Sequence, residues 1–135
     1  MGTPYVSKRA IIAELVVVMD LKRFDRGLYL IDVPSRVLRK GEIHEVIITD
    51  ETPSQRTVNR VAYIGFAEFL NGGLLVPGDK VYIRGQLFGR FLGFDETHMP
   101  NHYNLVINTQ TLLSGKELGF NIGDIITFHS EEAVC

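Results

Sequence analysis

Residues 80–94, Lys-Val-Tyr-Ile-Arg-Gly-Gln-Leu-Phe-Gly-Arg-Phe-Leu-Gly-Phe, constrain the fold more than any other stretch of this chain. Read as one long strand, they put Val81, Ile83, Gly85, Leu87, Gly89, Phe91 and Gly93 on one face and Tyr82, Arg84, Gln86, Phe88, Arg90, Leu92 and Phe94 on the other. Glycine at every fourth position of one face removes side chains where a strand must bend sharply or another backbone must approach. A small closed barrel needs such positions. The alternative, two shorter strands broken at Gly89, suits a barrel or a sandwich equally well. Turn sequences, Asn71-Gly72-Gly73 and Pro77-Gly78-Asp79, lead into the stretch around a short apolar strand, Leu74-Leu75-Val76.

The rest of the chain also reads as strands. Ala10–Met19 is rich in β-branched residues and has the length of one strand, with Glu14 marking a wet face. Asp20–Gly27 supplies charged turn chemistry, and Leu28–Val33, stopped by Pro34, is expected to pair back on the first strand as a hairpin. Ser35–Lys40 suits one helical turn, Glu42–Thr49 a third strand, and Asp50–Arg56, with Pro53 and Ser54, a loop. Val58–Leu70 fits helical and strand spacing alike; Gly65 and the Asn-Gly-Gly after it favour a strand entering a hairpin. Tyr103–Asn108 and Ile125–His129 are short strands, and Thr109–Leu118 suits a turn of helix capped by Gly119. The expected fold is all-β with at most one or two short helices, a small closed or partly open β-barrel of about six to eight strands, with a β-sandwich as the alternative. One domain should span residues 1–135, frayed at 1–9 and 130–135.

Two segments echo each other. Leu75-Val-Pro-Gly-Asp-Lys-Val-Tyr-Ile83 and Phe120-Asn-Ile-Gly-Asp-Ile-Ile-Thr-Phe128 share an apolar lead, a Gly-Asp turn and a strand. Glycine permits the left-handed turn, and the Asp side chain can accept the backbone N–H groups that close it. In these paired Gly-Asp turns the chain resembles the cradle-loop barrels and the related barrels of translation factors and flavin reductases. The order around Gly72–Ile83 is similar to the translation-factor type. Leu92-Gly93-Phe94, Pro100, Asn104-Leu105 and Gly123-Asp124 also resemble the archaeal riboflavin kinases, where the Pro-to-Asn-Leu segment lies at the nucleotide and flavin site. The spacing to the last Gly-Asp is shorter here and that family's early Gly-rich loop is missing, so the resemblance implies a barrel and carries no function.

Composition narrows the function classes. A hydrophobic share of 45% with 22% charged residues supports an ordinary buried core. Fourteen basic against 16 acidic residues, net −2, create no global field toward phosphate backbones or anionic membranes, which disfavours nucleic acid as the main partner. The basic cluster Lys22, Arg23, Arg26, Arg36, Arg39 and Lys40 is interrupted by Asp25 and Asp32 and reads as a solvated face. Cys135 is the sole cysteine, which excludes an intrachain disulfide and points to a reducing compartment. Met1–Arg9 lacks a signal-peptide core and no apolar run would span a bilayer; a cytoplasmic protein with no membrane partner is expected.

Chemistry is expected at Asp95-Glu96-Thr97-His98-Met99-Pro100-Asn101-His102-Tyr103-Asn104, which gathers two of the four histidines and two carboxylates. His102 and His98 can exchange protons near neutral pH, and Asp95 or Glu96 could orient and stabilise an imidazolium. Tyr103 and Asn104 would hydrogen-bond a bound carbonyl or phenolate, and Arg90, Tyr82 and Arg84, with Phe88, could line a cavity. Imidazole and carboxylate also ligate zinc, iron or manganese, but Pro100 between the histidines argues against the helix that would align them. No metal site is therefore assigned; His98 and His102 would be its ligands if there were one. The structural reading has Asp95 and Asn101 closing turns, His98 in solvent and His102 capping the barrel end, with His44 and His129 as ordinary surface or pairing positions. The leading functional expectation is a small-molecule-binding barrel whose enzymatic form would be acid–base chemistry without a cofactor. A non-catalytic homo-oligomeric module burying Phe88, Leu92 and Phe94 is the second reading. Third is single-strand nucleic acid binding by Tyr82, Arg84, Phe88 and Arg90.

Overall fold

The computed structural model describes residues 7–52 and 56–130. Part of the loop expected at 50–56 and most of the two ends expected to fray lie outside them. Among the described residues eleven strands occur in the order β1 (Ile11–Arg23), β2 (Leu28–Tyr29), β3 (Arg36–Leu38), β4 (Ile43–Thr49), β5 (Thr57–Val58), β6 (Val61–Phe69), β7 (Gly73–Leu75), β8 (Lys80–Ile83), β9 (Gln86–Asp95), β10 (Asn104–Asn108) and β11 (Ile125–His129). Seven of them close a barrel in the order β1-β11-β8-β9-β10-β4-β6, while β2–β5 and β3–β7 form two small antiparallel sheets. The protein is all-β with a closed barrel, as its strand-rich sequence implied. Because seven is odd, strand direction cannot alternate all the way round the wall. The one parallel seam joins β10 to β4, running from Asn104 opposite Glu45 to Asn108 opposite Thr49.

Inside, the barrel is solid. Phe91 and Phe94 meet edge to face at 4.8 Å, Phe128 stacks on Phe69 at 6.0 Å, and Ile11, Leu15, Ile48, Ile64 and Leu75 fill the space around them. Outside, a second apolar layer forms where Leu28, Leu30 and Val58 cover Ile47, Val61, Tyr63 and Val106. Along β4, Val46 and Ile48 belong to the inner core and Ile47 to the outer layer, so odd positions face out and even positions in. That alternation decides where the polar residues at the start of β4 point.

The Lys80–Phe94 stretch is two strands, not one, and the break is not at Gly89. Arg84 (φ +55°) and Gly85 (φ +77°) make a two-residue hairpin turn of the type that needs positive φ at both positions, joining β8 to β9. Gly89 has a different purpose: a Cβ there would collide with the carbonyl oxygen of Asn108. The register against β10 slips by one at Leu92, since Gly93 faces Val106 and Phe91 faces Ile107. This bulge lets Phe91 and Phe94, three apart, both enter the core. Phe94 is thus no part of an apolar surface patch, and Leu92 packs on the outer layer.

Other local readings also yield to pairing. β1 runs on through the expected turn at Asp20 and pairs with β6 and β11, not with residues 28–33, of which β2 pairs with β5. Residues 36–38, read as a helical turn, are β3, which takes β7 as partner in place of the hairpin expected after β6. Around 114–119 the chain makes overlapping turns, closed by Leu118 N–H to Ser114 O at 2.9 Å and Gly119 N–H to Lys116 O at 3.0 Å, and ends at Gly119 with φ +77° without forming a helix.

The Gly-Asp echo is a structural repeat. Gly78 N–H donates to Phe91 O and Asp79 O accepts from Phe91 N–H; Gly123 and Asp124 do the same with Leu15. Asp79 Oδ2 accepts from Val76 N–H at 3.1 Å and Asp124 Oδ2 from Asn121 N–H at 2.8 Å. The pairs Val81↔Phe128 and Ile83↔Ile126 exchange under the same correspondence, so a local twofold passes between Tyr82 and Thr127. It relates β8–β9 to β11–β1. β4 has no counterpart, because it is the strand inserted between β10 and β6.

Candidate functional site

The 96–103 loop leaves β9 and returns as β10, and Asp95 holds both ends. Its Oδ1 accepts from Thr97 N–H (2.9 Å) and Asn104 Nδ2–H (3.0 Å), and its Oδ2 from Tyr29 N–H (2.9 Å). Fully engaged and only 2% exposed, Asp95 is an anchor of the loop. Asn104 is buried beside it with its Oδ1 unpartnered. Glu96 turns away to Arg36 Nη2 (3.3 Å), whose guanidinium also lies 5.8 Å over the Tyr103 ring.

Within the loop, Asn101 N–H donates to His98 O at 2.9 Å, closing a turn with the cis Met99–Pro100 bond at its centre. His102 N–H also reaches His98 O, at 3.4 Å, so residues four apart come together as they would on a helix. The two imidazoles stand 5.2 Å apart with a 32° tilt. Pro100 therefore does not separate the histidines.

The parallel seam brings this loop against the start of β4, which local sequence signals did not reveal. His44 points inward at the barrel end, ringed by Phe69 (5.8 Å) and Tyr103 (5.3 Å), and it is buried in a paired strand where an ordinary surface or pairing position was expected. Tyr103 N–H donates to His44 Nδ1 at 3.0 Å, so the ring proton sits on Nε2 and donates to Glu42 Oε1 at 2.8 Å. Burial pushes the His44 imidazole below its ordinary value near 6.5; Glu42, by hydrogen bond and charge, opposes this, and His102 adds slightly to it. Glu45 points outward, with its side chain 8% exposed, toward His102. The Glu45 Oε1 to His102 Nε2 separation is 3.5 Å, and Nε2 is buried with no hydrogen-bond partner. Phe66 packs its edge against the same imidazole at 5.1 Å. Ligand atoms of Glu45, His98 and His102 all lie within 4.8 Å of one another.

A cleft of about 450 Å³ opens at this end, lined by Val37, Arg39, Glu42, Ile43, His44 and the 99–103 segment. Tyr82, Arg84 and Arg90 are not in it. Tyr82 packs on His129 at 5.1 Å; Arg84 binds Asp124 Oδ2 (2.8 Å) and Gly119 O (2.6 Å); Arg90 reaches Gly78 O (3.3 Å). They serve the Gly-Asp turns and the β8–β9 hairpin. His102, His98 and Tyr103 are thus gathered with three residues the sequence did not single out, Glu42, His44 and Glu45. Chemically, the rim offers imidazole nitrogens and carboxylate oxygens to a proton, a carbonyl or a cation.

Fold and site together define a small mixed β-barrel, plugged by its own aromatic core, with a histidine–carboxylate cluster at its single parallel seam. The chain belongs to DUF6917, a family of unknown function, whose model matches residues 5–129. No curated protein and no solved structure matches it.

Proposed function

We propose that this protein is a small-molecule-binding barrel whose ligand sits in the cleft beneath the 96–103 loop. The observation that carries the reading is convergence: Arg39, Glu42, His44 and His102 come from two distant segments to one cleft, while aromatic side chains fill the barrel lumen. Val37 and Ile43, 69% and 45% exposed, supply an apolar rim to a polar floor, the usual anatomy of a ligand site. A hollow of about 480 Å³ at Leu87–Arg90 is slightly larger, but among the described residues that line it Arg90 is the one charged group. A compact ligand bearing a carboxylate or carbonyl oxygen suits the cleft, with Arg39 as the cation at its mouth. A panel of small carboxylates and phenols screened by thermal shift should contain members that raise Tm by about 5 °C at ten times Kd. Arg39→Ala should reduce that shift. If no member stabilises the protein, or Arg39→Ala binds with unchanged affinity, the cleft is not the site.

A further inference from the structure

We propose that Glu45, His98 and His102 bind one divalent transition-metal ion on the outer face of the parallel seam. This goes beyond the cleft reading and does not depend on it. The set is two imidazole nitrogens and one carboxylate oxygen, within 4.8 Å of one another. Such a set suits zinc, cobalt, iron(II) or manganese and leaves coordination positions open to water or substrate.

Two features distinguish it from a chance cluster of polar side chains. The first is the Glu45–His102 distance. At 3.5 Å it makes no hydrogen bond. Yet two ligands each about 2.1 Å from a tetrahedral ion stand roughly 3.4 Å apart, so this edge already has the metal-bound separation. The second is what the groups lack. His102 Nε2 is buried and unpartnered, and among the described residues no hydrogen bond or Lys/Arg ion pair reaches the Glu45 carboxylate. Buried polar groups in a folded protein are as a rule satisfied, and one cation at this point would satisfy both at once.

His98 completes the set. Its side chain is exposed on the turn, touches the His102 ring at 5.2 Å and makes no hydrogen bond among the described residues, so only that ring contact has to give for it to turn inward. An inward shift of about 1 Å brings its nitrogen from the present spacing to bonding distance of an ion on the Glu45–His102 edge. The three ligands divide the work: β4 and the buried end of the loop fix two of them, and the exposed one closes.

The test is titration of the chelator-stripped full chain with Zn²⁺ and with Co²⁺, followed by calorimetry and by the visible absorption of the cobalt form. One ion per chain is expected, with Kd at or below the micromolar range. His98→Ala should weaken binding at least tenfold while leaving the melting curve of the stripped protein unchanged, because that side chain is exposed. Glu45→Gln should weaken it comparably. His129→Ala, Cys135→Ser and Arg39→Ala should leave it unaltered, the last keeping this test separate from that of the cleft. Absence of saturable binding, or equal affinity in His98→Ala, would overturn the proposal and leave a His102–Glu45 ion pair. Loss of the site with His129→Ala or Cys135→Ser would overturn it by placing the metal elsewhere.

Discussion

Replacing Asp95 by Ala tests whether this residue holds the loop or acts in chemistry. Its carboxylate accepts three hydrogen bonds, from Tyr29 N–H, Thr97 N–H and Asn104 Nδ2–H. Thr97 is exposed and its N–H can turn to water, whereas Asn104 is wholly buried and the Tyr29 bond is part-buried. Each buried donor left without a partner costs about 1–3 kcal/mol, and relief of the carboxylate's own desolvation offsets part of the sum. A net destabilisation of about 3 kcal/mol follows for Asp95→Ala, and about 2 kcal/mol for Asp95→Asn, which retains one acceptor oxygen. Urea unfolding with a common m-value should show this as a lower midpoint, and amide exchange should quicken at Tyr29 and Asn101–His102. A loss below about 1 kcal/mol for Asp95→Ala would refute the argument, since the three bonds could not then be contributing as their geometry implies.

Glycine substitutions separate two uses of the residue. Gly85→Ala meets open space but keeps φ at +77°, and should cost about 1 kcal/mol; Gly89→Ala drives a methyl into the Asn108 carbonyl and should cost about 3 kcal/mol or more, both read by thermal melts. Stability of the stripped protein should fall as pH drops below about 6.5, because the depressed His44 pKa means the unfolded chain binds the proton first, and the loss levels off once pH passes below the folded-state pKa. His44→Asn, whose Oδ1 can still accept from Tyr103 N–H, should flatten that profile; an unchanged slope in urea midpoints between neutral and acidic pH would contradict it.

The sequence made the strand content legible because each strand carries its own signal. β11 sits at Ile125–His129 as read, and β4 and β10 are each within one residue. What it concealed were partners. Residues 35–40 look like a helical turn because nothing local announces β7 as the mate of β3. Leu92 reads as one more alternating position because a bulge is set by the neighbouring strand, not by the residue. The loop histidines were visible, being close in sequence. Glu45 was not, since only a parallel pairing between segments 59 residues apart sets it beside His102. Nor could His44 be told from a surface histidine, because one register step separates the inner face from the outer.

That step gives the parallel seam a consequence for assembly. Parallel pairing over so long a chain separation closes a large loop and belongs to the slow part of folding. A slip of one residue between β4 and β10 would exchange the faces of His44 and Glu45, burying a carboxylate among Phe69 and Tyr103 and turning an imidazole outward. The wrongly closed wall would then be penalised at its core and would also carry the Glu45 carboxylate away from His98 and His102. The Glu45–His98–His102 cluster is therefore complete only in a correctly closed barrel, and the metal ion proposed for it would act as a latch on the β4–β10 pairing.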